Sequence, residues 1–399
     1  MTASERQATL SLASLYGLRM LGLFLVLPVF ALEAARYPGG GNAAQVGLAF
    51  GVYGLTQALL QIPFGMASDR WGRKPVIVFG LLLFAFGSWV AATATTLDGL
   101  LIGRALQGSG AISAALTALL ADLTRPTVRT KALALVGITI ALMFASSLVF
   151  APMLNAAIGL RGLFLLTAGL AIGGIVAVMW WVPPAPSGTS SANPLQGLRL
   201  VLRNAQLLRL DFGVFSLHAV QLAMWMAVPE FLVQTGLLKS AHWHVYLPAL
   251  LASVAVLGGV LFRLERRGYV RAVMLMAIGC LLTAQLGFYA YAHTGGAVVW
   301  ESVSARWALG VLLFVFFIGF NALEATQPSL ASKLVEPRCR GAALGVFNTS
   351  QSLGFFVGGS VGGALIQWGG PLSLFGACAA WLLIWLGVAS GFNGAVAKH

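Results

Sequence analysis

The sequence predicts an all-α membrane protein: twelve transmembrane helices in two pseudo-symmetric six-helix bundles, with both termini cytoplasmic. Three observations predict it. Apolar residues make up 59% of the 399 and charged residues 9%, against about 25% charged in soluble domains. So few charges cannot solvate a surface, so the bilayer replaces water as the solvent. Long apolar stretches recur at the length of about 20 residues that a membrane helix needs. Finally, Lys and Arg are dense in every second connection and sparse in the others.

The elements follow in order. Met1 to Thr9 is a short polar stretch with no small-residue cleavage site after it, so the first span, 10–33, is expected to be retained. Spans two (43–67) and three (75–95) are divided by the charged stretch Asp69 to Lys74. Spans four (99–121) and five (131–153) are divided by Arg125 to Lys131, and span six covers 162–182. Residues 183–206 contain PPAPSGTSSANP and then a basic segment. Pro, Ser and Gly deny that stretch a packed core, so it reads as a cytoplasmic linker between bundles 1–182 and 207–399. The second bundle repeats the scheme at 207–235, 243–263, 270–294, 307–333, 341–367 and 371–394.

Cation placement orients these spans. With the N-terminus inside, the inner segments hold Arg6; Arg70, Arg73, Lys74; Arg125, Arg129, Lys131; Arg199, Arg203, Arg209; Arg263, Arg266, Arg267, Arg271; Lys333, Arg338, Arg340; and Lys398. The outer loops hold only Arg36, Arg161, Lys239 and Arg306, while Arg19 and Arg104 fall inside spans. Cations resist translocation, so both termini are expected in the cytoplasm. Loop position also accounts for the net charge of +13 without nucleic acid. Cys280, Cys339 and Cys378 have no metal-ligand spacing, so no disulfide, metal or cofactor is expected.

The halves echo each other. Asp69-Arg70-Trp71-Gly72 aligns with Glu265-Arg266-Arg267-Gly268, each between spans two and three of its half. Leu123-Thr124-Arg125-Pro126 and Arg129 align with Leu334-Val335-Glu336-Pro337 and Arg340, each between spans four and five. Two parallel halves around a midplane cavity form an alternating-access design.

The stretch Gly65 to Lys74, with Asp69, Arg70, Gly72 and Arg73, matches the G-x-x-x-D-R-x-G-R-K loop signature of the major facilitator superfamily. Arg104, Gln107, Gly108 and Gly110 resemble the superfamily's R-x-x-Q-G-x-G pattern. The sequence around Arg19, the stretch GRALQGSGAISAALTALLADLTRPTVRTKA and the segment FNALEATQPSLASK around Glu324 resemble the bacterial YajR-type branch of drug:proton antiporters. The resemblance spans nearly the whole chain and implies the major facilitator fold, an inner-membrane location and proton-coupled efflux. It also implies a part in proton coupling for Arg104, and a latch on the inner side while the cavity faces outward. Two departures stand out. The branch carries Gly-Pro near the end of span five, where this chain has Ala151-Pro152; and a C-terminal cytosolic domain is not expected after His399.

The latch has a physical basis of its own. Gly65 and Gly72 permit close approach and a tight turn. Asp69 is expected near the positive dipole end of span eleven, close to Arg340. Arg73 is placed to pair with Asp122. The alternative is that these residues only cap and orient the loop.

With 11 acidic residues in the chain, each one inside a span is informative. A charge there costs about 2.5–3.5 kcal/mol and so faces a cavity or partner. Glu324, Arg104 and Arg19 are the candidates for proton coupling, with structural roles as the alternative for each. Glu33 and Glu230 are expected at the interface. Tyr53, Gln57, Gln107, His218, Gln221, Trp225, Asn321, Asn348 and Gln351 are candidate cavity residues, or interhelical glue. His218 is a weaker titrating candidate.

The expected function is secondary transport, exporting a small hydrophobic or amphipathic compound against inward proton flow. Its partners are the substrate, protons and the bilayer, and a monomer is expected. Symport or uniport of a small polar solute such as a sugar is the alternative. No Walker-type loop is present for ATP. Asp69, Asp98, Asp122 and Asp211 are dispersed and no D-D-x-x-D occurs, which argues against a lipid or prenyl transferase. The loop signature and the intramembrane Glu324 argue against a non-transporting receptor.

Overall fold

A computed structural model describes residues 1–183, 194–266, 269–295, 302–335 and 340–392. Linker residues 184–193, Arg267, Gly268, Glu336, Pro337, Arg338 and Lys398 lie outside the described residues, as do the side chains of Arg263, Glu265, Arg266 and Arg340. Among the described residues every regular element is a helix. The first half of the chain forms α1 (Ala3–Phe24), α2 (Phe30–Ala34), α3 (Ala43–Trp71), α4 (Arg73–Thr93), α5 (Leu97–Ser109), α6 (Ser113–Asp122) and α7 (Pro126–Trp180). The second forms α8 (Pro194–Arg203), α9 (Ala205–Trp225), α10 (Val228–Gln234), a 3-10 turn at Lys239–Ala241, α11 (Trp243–Arg266), α12 (Val270–His293), α13 (Ser302–Lys333) and α14 (Arg340–Ser390). Eight helical stretches among the described residues are long and apolar enough to cross a membrane. The chain is an all-helical, multi-pass membrane protein.

Several expected spans are broken, each for a local reason. α1 stops at Phe24, ahead of Pro28, and the chain turns through residues 25–29 before α2. α9 stops at Trp225 and α10 starts at Val228, because Pro229 lacks an N–H and would clash with the carbonyl of Trp225 in a continuous helix. α5 and α6 are parted at Gly110, whose ψ of 52° leaves the helical region. Elsewhere expected neighbours are joined end to end. α7 runs through the expected connection with a kink at Gly159, and α14 does so at Gly369 and Gly370. The expected linker carries α8, which buries Val201.

Met1, Arg73 and Phe392 lie at one end of the bundle, here the terminal end; Ala43 and Gln367 lie at the far end, where the Ala43 amide donates to Gln367 Oε1 (2.7 Å). From there α3 and α14 run antiparallel in close contact. A Cβ on Gly47 would strike the Gly359 carbonyl, and one on Gly54 the Ser352 carbonyl. The adjacent face of α14 does the same to α9: Gly354 meets the Phe215 carbonyl and Gly358 that of Ala219. Small residues at such crossings let backbones touch, which is how helices gain packing where lipid supplies no hydrophobic drive. Beyond Ser352 toward the terminal end, a Cβ on Gly345 or Gly341 would meet nothing. Glycine-mediated contact between α3 and α14 therefore belongs to the far half of the bundle.

Candidate functional site

Arg19 and Arg104 are 2% and 1% exposed. The break between α5 and α6 frees polar groups, and Arg19 takes them: Nη1 donates to Ser113 Oγ (2.7 Å) and Nη2 to the Gly110 carbonyl (3.4 Å). Nη2 also donates to the Tyr53 hydroxyl (3.3 Å). The Tyr53 ring lies under Arg104, 4.9 Å from its guanidinium carbon, with Phe30 at 5.7 Å. Such ring contacts are worth about 2 kcal/mol when desolvated. Arg104 Nη1 donates to Gln107 Oε1 (2.9 Å), and Gln107 Nε2 donates to Ser88 Oγ (2.7 Å). Tyr53 thus joins two guanidinium groups into one cationic wall.

The second half of the chain supplies a different wall. His218 Nε2 lies 2.8 Å from Glu324 Oε1 and 2.8 Å from Gln351 Nε2, and its Nδ1 donates to the Val214 carbonyl (2.9 Å). A carbonyl only accepts, so Nδ1 carries a proton. Nε2 and Glu324 Oε1 then need one proton between them. A charged imidazole donates to the carboxylate and needs the Gln351 amide turned to face it with its oxygen; a neutral one accepts from the Gln351 amide or from a carboxylic acid. His218 is buried, whereas 33% of the Glu324 side chain is exposed.

Between the halves lies a void of about 10 Å3 lined by Leu23, Leu27, Phe50, Tyr53 and Arg104 from one side and Leu222 and Phe355 from the other. That is the room of about one water. The Phe355 ring stands edge-on to His218, 4.9 Å between centroids. Toward the far end, a groove of about 510 Å3 includes Leu32, Arg36, Val46, Met226, Glu230 and Ile366 in its lining. Glu33 sits beside it with Oε2 on Arg36 (3.2 Å) and Oε1 on Lys239 (2.9 Å). Glu33 thereby joins the two halves of the chain, and Glu230 is exposed.

At the terminal end Arg73 gathers the loop. It pairs with Asp69, with Asp122 through Nε (3.0 Å), and donates to Ser68 Oγ (2.7 Å). Gly72 has φ +93°, a conformation that costs other residues strain. A Cβ on Gly65 would lie 3.4 Å from Ala114, so α3 and α6 approach closely here. Arg70 is exposed. The described bonds of this cluster stay within the first half of the chain, and the Arg340 side chain lies outside the described residues.

The structure therefore brings Arg19, Tyr53, Arg104 and Gln107 together, and His218, Gln351 and Glu324 together. The remaining cavity candidates do not line the void. Trp225 is buried edge-on against Tyr246 (5.3 Å). Asn321 Nδ2 donates to Ser253 Oγ (3.0 Å), and Asn348 is half-buried. Gln57 and Gln221 are buried, each with Oε1 unpartnered among the described residues. Sequence reasoning missed Ser88, Ser113, Leu222 and Phe355, ordinary residue types that only helix rotation brings to the site.

A buried arginine lining a void, with a His–Glu contact set close by across the Phe355 ring, suits a transporter inside an all-helical membrane bundle. Residues 12–359 match the Major Facilitator Superfamily profile, and the chain belongs to that superfamily. It is 40% identical over 395 residues to the inner membrane transport protein YajR of Escherichia coli (strain K12), covering 98% of this chain and 84% of that protein. It is 29% identical to the multidrug resistance protein MdtH of Aeromonas salmonicida (strain A449), covering 87% of this chain and 84% of that one. Among solved structures, the nucleoside transporter NupG is similar in fold, with a TM-score of 0.69 at 16% identity over 98% of this chain and 99% of NupG.

Proposed function

We propose that this superfamily member is a proton-coupled secondary transporter of the bacterial inner membrane, exporting a small hydrophobic or amphipathic compound by alternating access. In this reading twelve spans form bundles 1–182 and 207–399 with both termini cytoplasmic. The kinked α7 and α14 each count as two spans, and the broken pairs α1–α2, α5–α6 and α9–α10 each count as one. The observation that carries the coupling is the His218–Glu324 contact at 2.8 Å. Losing its proton would leave two acceptors facing each other, so α9 and α13 would have to part. Gln351 and Phe355 on α14 would pass that movement to the contact with α3. A proton thereby gains different affinities in the two conformations, which coupling requires. The name of the MdtH relative supports export, and the Arg73 cluster acts as the terminal-end latch.

A second reading, symport of proton and solute, is supported by the two buried arginines: a protonated Glu324 leaves the cavity more attractive to an anion. The test is proton movement in proteoliposomes. Export is supported by compound-driven proton counterflow that Glu324→Gln abolishes. Co-directional flux supports symport. Compound flux without proton flux in wild type removes coupling altogether.

A further inference from the structure

We infer that the transported compound carries an anionic group, a carboxylate or its like, recognised by Arg104, with an apolar body against Leu23, Leu27, Phe50, Leu222 and Phe355. The inference rests on reading the central void as the substrate site, and goes beyond it in naming the substrate's chemistry.

The first ground is an uncompensated charge. The acidic residues in the first 183 residues are Glu5, Glu33, Asp69, Asp98 and Asp122. Glu5 pairs with Arg125, Glu33 with Arg36 and Lys239, and both Asp69 and Asp122 with Arg73. Asp98 is exposed in the first turn of α5. Neither Arg19 nor Arg104 has a carboxylate partner among the described residues. Both are held only by neutral oxygens and ring faces. Buried ions are normally paired, because desolvation is otherwise unrepaid.

The second ground is aim. Arg104 lines the void, and its Nε is buried without a partner among the described residues. Arg19 has an unpartnered Nε as well, but it does not line the void. The third ground is the rest of the lining, which is aliphatic and aromatic apart from Tyr53. A lone guanidinium in an apolar wall suits an amphipathic anion and repels a lipophilic cation. The void is contracted here to the size of a water, so the compound is admitted only when the halves separate.

The test is equilibrium binding to the purified full-length protein, without any gradient. The probes are 2-naphthoate, its methyl ester and 2-naphthylmethylammonium, followed by tryptophan fluorescence and thermal stabilisation. The expected result is naphthoate bound at least about tenfold more tightly than the other two. Arg104→Gln should erase that preference and Arg104→Lys should keep part of it. Should Arg104→Gln fail to fold, the wild-type preference and its reduction in Arg104→Lys decide. Equal or tighter binding of the ester or ammonium, a preference that survives Arg104→Gln, or no binding of any probe would each overturn the inference. Naphthoate binding without proton flux would keep the anion site and remove coupling. Proton flux driven only by cations would do the reverse.

Discussion

His218 Nε2 and Glu324 Oε1 stand 2.8 Å apart, on α9 and α13, with the imidazole fixed from behind by the Val214 carbonyl. Two bare hydrogen-bond acceptors repel at that distance, which is why the proposed coupling is placed at this contact. Replacing the carboxyl by an amide keeps the shape and lets the amide donate to a neutral imidazole. Glu324→Gln should therefore fold, bind substrate and lose the pH dependence of transport. Transport across a pH series in proteoliposomes checks this, and an unchanged profile would return Glu324 to a packing role.

Breaking the Arg73 cluster should separate stability from function. Asp69 and Asp122 are 42% and 40% exposed, and exposed ion pairs contribute only about 0.2–1 kcal/mol each. Asp69→Asn and Arg73→Ala should leave the melting temperature nearly unchanged while impairing transport. Undiminished flux in both variants would remove the latch from the mechanism.

Glu33 and Lys239 close the far end across the two halves of the chain. A part-buried pair worth about 1 kcal/mol shifts a two-state balance by about fivefold. Glu33→Gln should raise the alkylation rate of a cysteine placed at Met226, in the far groove, by about that factor. An unchanged rate would show that the helix contacts alone hold this end shut.

The connection between α1 and α7 should respond to acid. Glu5 accepts from Arg125 Nε (2.7 Å) and from the Thr2 amide (2.7 Å), at the terminal end outside the apolar span. The Arg125 hydrogen bond, helped by Thr2, holds the Glu5 carboxyl down to about 2 from its ordinary 4.5. A depressed value means the stabilisation is complete above 4.5 and is lost as pH falls through about 2. Wild type should melt above Glu5→Gln at neutral pH, and the two should converge near pH 2. Parallel curves down to that pH would rule the link out.

The sequence by itself determined the solvent, the all-helical class and the membership of the superfamily. Those follow from local quantities: apolar run lengths, the scarcity of charge and the short signatures around Asp69 and Arg104. It also marked the buried Arg19 and Arg104, because a charge in an apolar run is conspicuous wherever the helix turns. What it left open is who meets whom. Glu324 and Arg104 were separate candidates without named partners; Glu324 meets His218, and Arg104 meets Tyr53 and Gln107. Trp225 was a cavity candidate and Phe355 was not, yet Phe355 lines the void and Trp225 does not. Nothing in the run around Glu33 named Lys239 as its partner. Such pairings depend on the rotation of each helix and on breaks at Pro28, Gly110 and Pro229, set by packing between residues far apart in the chain. Tertiary structure alone decided them, because a helix's own sequence fixes which residues share a face but not what that face opposes.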